Sequence, residues 1–211
     1  MSLEPRILIS APDLRERRRR EMTRAIANAA VELFERDGVA ATTVDDIAAA
    51  AGISRTTFFR HCSSKEAAVL VDDAGLEAEL IGVAARASAA HPRQDLEEAW
   101  EAMTAVFDAD PEGHNRFLRV RRLMNHNHSL LAAGLQLEAG LSERIGAALH
   151  EQAGLTELDA RAVAACFAVA MRLTFDEWVR RVDAGLTDIT LRMVYREVRD
   201  AVARAADGGT R

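Results

Sequence analysis

Residues 43–61 (TVDDIAAAAGISRTTFFRH) constrain the fold more than any other stretch of this chain. Thr43 is a natural N-cap, with Asp45 and Asp46 in the positive first turn of a short helix. Gly52 can adopt the left-handed conformation that ends a helix, and Ser54 can cap the next one. Ile47, Ala48, Ala51, Ile53 and Phe58 fall where two crossed helices must touch. Arg55, Thr56, Thr57, Phe59 and Arg60 are then left facing outward on the second helix. This is the layout of a helix-turn-helix, whose second helix lies in the DNA major groove. It points to DNA recognition rather than catalysis.

The flanking segments also carry helical periodicity. Ile26, Ala29, Ala30, Leu33 and Phe34 follow the spacing of one apolar helical face and predict a helix from about Leu14 to Asp37, stopped by Gly38. Ser63 or Ser64 caps a helix after the turn motif, with Glu66 in its first turn. Val69, Leu70, Leu76, Leu80 and Ile81 predict that this helix is long. Further helices are expected between Pro92 and Asp110, over about Gly113 to Asn125, and over Ser129 to Gln152 with Leu131, Leu135, Ile145 and Leu149 among its apolar positions. Another is expected from a Thr156 cap to about Ala184. A last one follows a Thr187 cap, with the stripe Leu191, Val194, Tyr195, Val198 and Val202. Runs of Val, Ile and Thr with period two are missing, so the fold class is all-α. The expected organisation is a tail over 1–14, a helix-turn-helix domain over 15–66, a larger helical domain over 67–206 and a tail over 207–211.

The net charge of -6 at first argues against nucleic acid, but its distribution matters more than its sum. Residues 1–66 carry 11 Lys+Arg against 10 Asp+Glu, and the remainder carries 16 against 23. Arg17, Arg18, Arg19 and Arg20 concentrate positive charge near the start, either as a solvated helix face or as an arm reaching the minor groove. Cys62 and Cys166 lie far apart and form no paired motif, which fits a reducing cytoplasm. No apolar run approaches the ~20 residues of a membrane span.

Residues 23–66 resemble the N-terminal domain of the tetracycline-repressor (TetR/AcrR) family. The resemblance is carried by Ile26, Ala29-Ala30, Leu33-Phe34, Gly38, Thr43-Val44, Ile47-Ala48, Ala51-Gly52-Ile53-Ser54, Thr57-Phe58-Phe59, His61 and Lys65-Glu66. It implies a ligand-responsive, homodimeric DNA-binding regulator, most simply a repressor, with no cofactor and no metal. Ser54 would open the recognition helix toward a phosphate, and Arg55 would read a base by gripping guanine O6 and N7. Thr56 and Thr57 would meet phosphate or a thymine methyl. Arg60 and His61 would meet the backbone, Lys65 resembles the family's phosphate-contacting lysine, and Thr43 would touch the other strand. Phe59 stands where the family usually has tyrosine, and Cys62 where it has an aromatic or bulky apolar residue.

The same resemblance implies that the C-terminal two thirds binds a small effector and forms the dimer. The last two long helices are the dimer candidates, with Ala164, Ala165, Ala168 and Ala170 allowing close approach and Phe167, Leu191, Val194 and Val198 supplying apolar area; an intramolecular core gives the same pattern. Pocket candidates are Trp100, Met103, Phe107, Phe117, Met124, Met171, Phe175 and Trp178, with Arg121, Asn125, His128 and Asp176 as ligand-orienting groups. A two-fold dimer would require a roughly palindromic duplex with half-sites ~34–36 Å apart. Two rival readings are a helical metal-dependent enzyme using His114, His126 and His128, and a small-molecule-binding protein without DNA binding. The two-residue spacing of His126 and His128 does not align them on one helical face.

Overall fold

The computed structural model describes residues 14–71 and 75–206, and each regular element among them is an α-helix. The tails expected over 1–14 and 207–211 lie outside these residues, apart from Leu14, which opens the first helix. Contacts divide the chain into two compact units, with the boundary between Ala74 and Gly75.

The N-terminal unit contains α1 (Leu14–Asp37), α2 (Val44–Ala50), α3 (Arg55–His61) and α4 (Lys65–Val69). Helix α1 turns Ile26, Ala30, Leu33 and Phe34 inward and packs on α2 and α4. It ends at Gly38, whose φ of +86° favours glycine. Arg17, Arg18 and Arg19 lie on the exposed surface of α1 as part of the helix. Thr42 is buried, and its hydroxyl donates to the Gly38 carbonyl at 2.9 Å, closing the turn into α2.

Helix α2 opens on a capping box. The Thr43 amide and hydroxyl donate to Asp46 Oδ2 at 2.8 and 2.6 Å, and the Asp46 amide donates back to Thr43 Oγ1 at 3.2 Å. The helix closes on Gly52, at φ +69°. There Ile53 N–H donates to the Ala48 carbonyl at 2.9 Å and Gly52 N–H to the Ala49 carbonyl at 3.1 Å. This closure aims the chain into α3, which packs on α2. Phe58 is fully buried, as are Ile47 and Ala48. Cys62 fills a small buried site with its thiol pushed up to about 11 by burial, so its departure from the family pattern is one of packing.

The long helix expected from Ser64 is two separate helices. Helix α4 stops at Val69, with Leu70 as its C-cap, and α5 (Leu76–Arg86) begins after Gly75 at φ +78°. The apolar positions before and after the break share a helical period, which hid the interruption.

The C-terminal unit comprises α5, α6 (Pro92–Asp108), α7 (Pro111–His126), α8 (His128–Glu151), α9 (Glu157–Asp183) and α10 (Leu191–Ala206). Helices α8 and α9 pack extensively, α5 packs on α8, and α10 packs on both α9 and α6. One core joins Leu80, Leu96, Trp100, Ile145, Leu149, Phe167 and Tyr195. A second joins Ala170, Trp178, Val179, Leu191, Val194 and Val198, and Phe175 packs against both.

Three boundaries differ from the sequence expectation. Asp110 caps α7 by accepting from Gly113 N–H at 3.1 Å, so this helix starts earlier, at Pro111. Asn127 alone separates α7 from α8 and caps α8 through Leu130 N–H at 3.1 Å, so the gap expected between Asn125 and Ser129 narrows to one residue. Helix α10 is not capped by Thr187. Thr190 Oγ1 accepts from Met193 N–H at 3.1 Å, and the Asp108 carboxylate of α6 accepts from Leu191 N–H at 2.8 Å. That second contact is long-range, so no local pattern announces it.

Candidate nucleic-acid interface and ligand cleft

On α3 the exposed side chains are Arg55, Thr56, Phe59 and Arg60, while Phe58 anchors the helix from beneath. Phe59 is 48% exposed. The Arg55 guanidinium lies 5.3 Å from the Phe59 ring centroid, within cation–π range, and Arg55 Nη1 donates to Asp45 Oδ2 at 2.9 Å. The positively charged start of α3 is thus partly neutralised from α2. Asp45 is not among the interface candidates that the sequence suggests. The available signal was that Asp46 already satisfies the capping box, which leaves the neighbouring carboxylate free.

The other candidates already hold hydrogen-bond partners within the protein. Ser54 Oγ caps α3 through Thr57 N–H at 3.1 Å, the Ser54 and Thr57 hydroxyls share a hydrogen bond of 2.9 Å, and Thr57 is half-buried. Thr43 directs both donors at Asp46, which holds that carboxyl below its ordinary range. His61 is half-buried against α1, with Nδ1 3.3 Å from Thr23 Oγ1. Burial first, then the Arg19 and Arg60 charges, keep its pKa low.

Lys65 has a structural task that sequence spacing did not reveal. Its Nζ donates to the Val39 carbonyl at 2.6 Å and the Thr42 carbonyl at 2.9 Å, tying α4 to the turn that presents α2. Two of three ammonium donors are used, which leaves one for a phosphate. Lys65→Ala is expected to lower the stability of the N-terminal unit by about 1–3 kcal/mol, because two carbonyls lose a charged partner. Thermal unfolding followed by circular dichroism checks this, and an unchanged melting temperature would contradict the clamp.

In the C-terminal unit the sequence-predicted pocket residues separate into groups. Trp100, Phe107, Phe117, Phe175 and Trp178 form a continuous aromatic cluster with centroid separations of 4.4–5.7 Å between successive rings. Met103 is buried in the adjoining core. The indole N–H groups of Trp100 and Trp178 and the hydroxyl of Tyr195 are buried without a hydrogen-bond partner. An apolar cavity of about 40 Å³ lies between α8 and α9, lined by Ile145, Phe167, Met171 and Phe175 together with Glu138 and Arg172.

A wider cleft of about 410 Å³ shares Glu138 and Arg172 with it and is lined by Arg121, Met124, Asn125 and Asp176. Leu131 and Leu135 of α8 line this cleft instead of the core. The Met124 methyl lies over Gly134 in the space a Cβ would occupy, so a larger residue there would displace this flexible side chain. Arg121 is nearly buried and forms ion pairs with Glu138, at 3.4 Å, and with Asp176. It also lies 5.8 Å from the Phe175 ring centroid and 6.0 Å from that of Phe117.

The histidines do not converge. His114 stacks on Trp178 at 4.4 Å, His126 Nδ1 is 2.8 Å from the Arg122 carbonyl, and His128 is exposed at the start of α8, outside both cavities. Among the described residues no group of three His, Cys, Asp or Glu side chains could hold a metal ion.

Several residues expected at a dimer face are instead protomer core: Ala164, Phe167, Ala170, Leu191, Val194 and Val198 are buried. Ala168 is half-buried beside the α8–α9 cavity, and Ala165 is exposed. A different stripe of α9 faces outward. Ala162, Cys166, Val169 and Leu173 recur at i, i+4, i+7 and i+11, and all four are exposed. Met193 of α10 is 50% exposed. No helix of the described residues is long and apolar enough to cross a membrane.

Residues 26–70 match the profile of a family described as bacterial regulatory proteins, tetR family. The chain is 30% identical over 190 residues to the HTH-type transcriptional regulator TcmR of Streptomyces glaucescens, covering 86% of this chain and 84% of that protein. It is 29% identical over 175 residues to MftR of Mycobacterium tuberculosis, named as a putative mycofactocin biosynthesis transcriptional regulator, covering 82% and 87%. Among solved structures it is similar to Thermus thermophilus FadR, a TetR family repressor in complex with lauroyl-CoA, with a TM-score of 0.47 and 21% identity over 86% of this chain and 93% of that one. A second is the TetR family regulator PfmR, also from Thermus thermophilus, with a TM-score of 0.43 and 24% identity over 85% and 97%.

Proposed function

From the premise that this chain belongs to the tetR family of bacterial transcriptional regulators, we propose that it is a homodimeric, effector-responsive repressor that reads a roughly palindromic duplex with α3. The observation that carries the reading is the division of α3 into a buried anchor, Phe58, and an outward set of Arg55, Thr56, Phe59 and Arg60. The anchor fixes the helix on α2, and the outward set supplies donors and methyl groups for base edges and phosphates. Helices α1–α4 are the reading head, and α5–α10 carry effector binding and dimerisation.

The effector site is the cleft around Arg121, continued by the apolar cavity at Phe167, Met171 and Phe175. The cleft volume falls within the ~300–1,000 Å³ usual for small-molecule sites. Apolar walls beside a nearly buried guanidinium suit a ligand with an apolar body and a polar end. Dimerisation uses the exposed α9 stripe with α10. The effector acts by binding more tightly to the dimer conformation that fits the duplex poorly, so its differential affinity sets the size of the response.

The test is a mobility-shift titration of the full chain on DNA flanking its own gene, at two salt concentrations. Binding is expected to weaken with salt, as counterion release demands. Arg55→Ala is expected to cost about 1–3 kcal/mol and to erase the preference at one base position. Equal losses for Arg55→Ala on every sequence would contradict its assignment as a base reader.

A further inference from the structure

The carboxylate of Asp45 is surplus to the cap of α2, because Thr43 and Asp46 complete that cap between themselves. Asp45 instead accepts from Arg55 Nη1 at 2.9 Å, across the turn from the first residue of α3. Phe59, one helical turn beyond Arg55, places its ring 5.3 Å from the same guanidinium. That ring meets the fully buried Phe58 edge-on, at 5.5 Å between centroids. Arg55 is 59% exposed, yet it is held at one edge by a carboxylate and at one face by an aromatic ring.

A carboxylate on a surface that meets a polyanion lowers affinity for every sequence. A free arginine also satisfies itself on phosphate, which carries no sequence information. Pairing changes both terms. The Asp45 carboxylate is repelled by phosphate, so the paired guanidinium is disfavoured there. Four of its five N–H donors remain, and two suffice for guanine O6 and N7. Holding the fork in one orientation also removes rotamer entropy before binding. The replacement of tyrosine by Phe59 fits this arrangement: the hydroxyl for phosphate is gone, and the ring platform remains.

We propose that Asp45, with Phe59 supporting the same side chain, positions Arg55 as a guanine reader and withholds it from the phosphate backbone. Asp45 is a positioning residue that acts through Arg55. It raises discrimination between sequences while lowering total affinity. The inference rests on the DNA-reading role of α3.

The test uses the full-length chain and duplexes randomised over about 20 base pairs, enough for two half-sites. Retained duplexes are sequenced for the wild type, Asp45→Asn, Phe59→Leu, Arg55→Ala and the Asp45→Asn/Arg55→Ala double variant. The wild type is expected to enrich guanine at one half-site position. Asp45→Asn should reduce that preference roughly tenfold at the same position, while binding to an unrelated duplex tightens. Phe59→Leu should blur the same position to a smaller extent. Arg55→Ala should abolish the preference, and adding Asp45→Asn to it should change nothing further there.

Circular dichroism of each variant confirms that the exposed substitutions leave the fold intact. The proposal is overturned if Asp45→Asn keeps the wild-type preference, or if its loss falls at a position other than the one Arg55→Ala affects. Losses spread evenly over all positions also overturn it. A wild-type pool without any enriched sequence removes the DNA-reading role itself, and this inference with it.

Discussion

Phe58→Ala is expected to destabilise the N-terminal unit by about 3–5 kcal/mol, the range for truncating a buried phenylalanine. Its ring is fully buried between the two helices of the turn motif, and Phe59 leans edge-on against it. Removing it leaves a cavity that α2 and α3 cannot close without changing the Gly52 turn. A short helix of seven residues has little stability of its own, so α3 depends on this burial. Operator binding is therefore expected to fall with stability, even though Phe58 touches no nucleic acid. Thr56→Ala is the control: it is exposed on the same helix, and its effect on stability should stay within about 0.5 kcal/mol. Thermal denaturation alongside duplex binding separates the two. Unchanged unfolding of Phe58→Ala would contradict the packing of α3 on α2.

With the proposed dimer face on the outer stripe of α9, Leu173→Asp is expected to leave the chain monomeric and to weaken operator binding by orders of magnitude. Leu173 is 44% exposed in one protomer, and Ala162, Cys166 and Val169 extend its stripe along α9. An aspartate there would bury a charge without a partner across a two-fold axis, twice per interface. A monomer presents one recognition helix, so the second half-site no longer adds to binding. Sedimentation velocity reads the first effect and a duplex titration reads the second. A variant that remains dimeric would move the interface away from this stripe. The fold of the protomer should survive, because the substituted side chain already faces solvent.

Much of the reading head was legible because its signals are local. The Thr43 cap, the Gly52 turn and the Phe58 anchor each follow from residues a few positions apart, and the lengths of α2 and α3 follow from them. What escaped the sequence depends on contacts between distant residues. Besides the phosphate contact expected of Lys65, its ammonium reaches carbonyls 26 and 23 residues earlier, which no local spacing announces. Asp45 looked like helix-dipole compensation, yet its partner lies ten residues away on the next helix. Most of the residues expected at a dimer face are protomer core, a distinction hidden in the sequence because alanine-rich helices are apolar on several sides. Only the fold distinguishes Ala164, turned into the core, from Ala165 and Cys166, turned out. Most of the aromatic residues expected at a pocket pack against one another, and the open volume lies beside them at Arg121.

The most direct test of the assignment of α3 is DNA cleavage from a tethered reagent. A chain carrying Thr56→Cys and Cys166→Ser would be coupled to an iron chelate and bound to its operator. Cys62 is buried with a thiol pushed up to about 11, so it should remain unmodified. The expected result is two clusters of strand cleavage, one in each half-site, separated by about one helical turn of 10–10.5 base pairs. Cleavage in one cluster only, or none while the complex remains intact, would contradict a two-fold dimer that reads the duplex with α3.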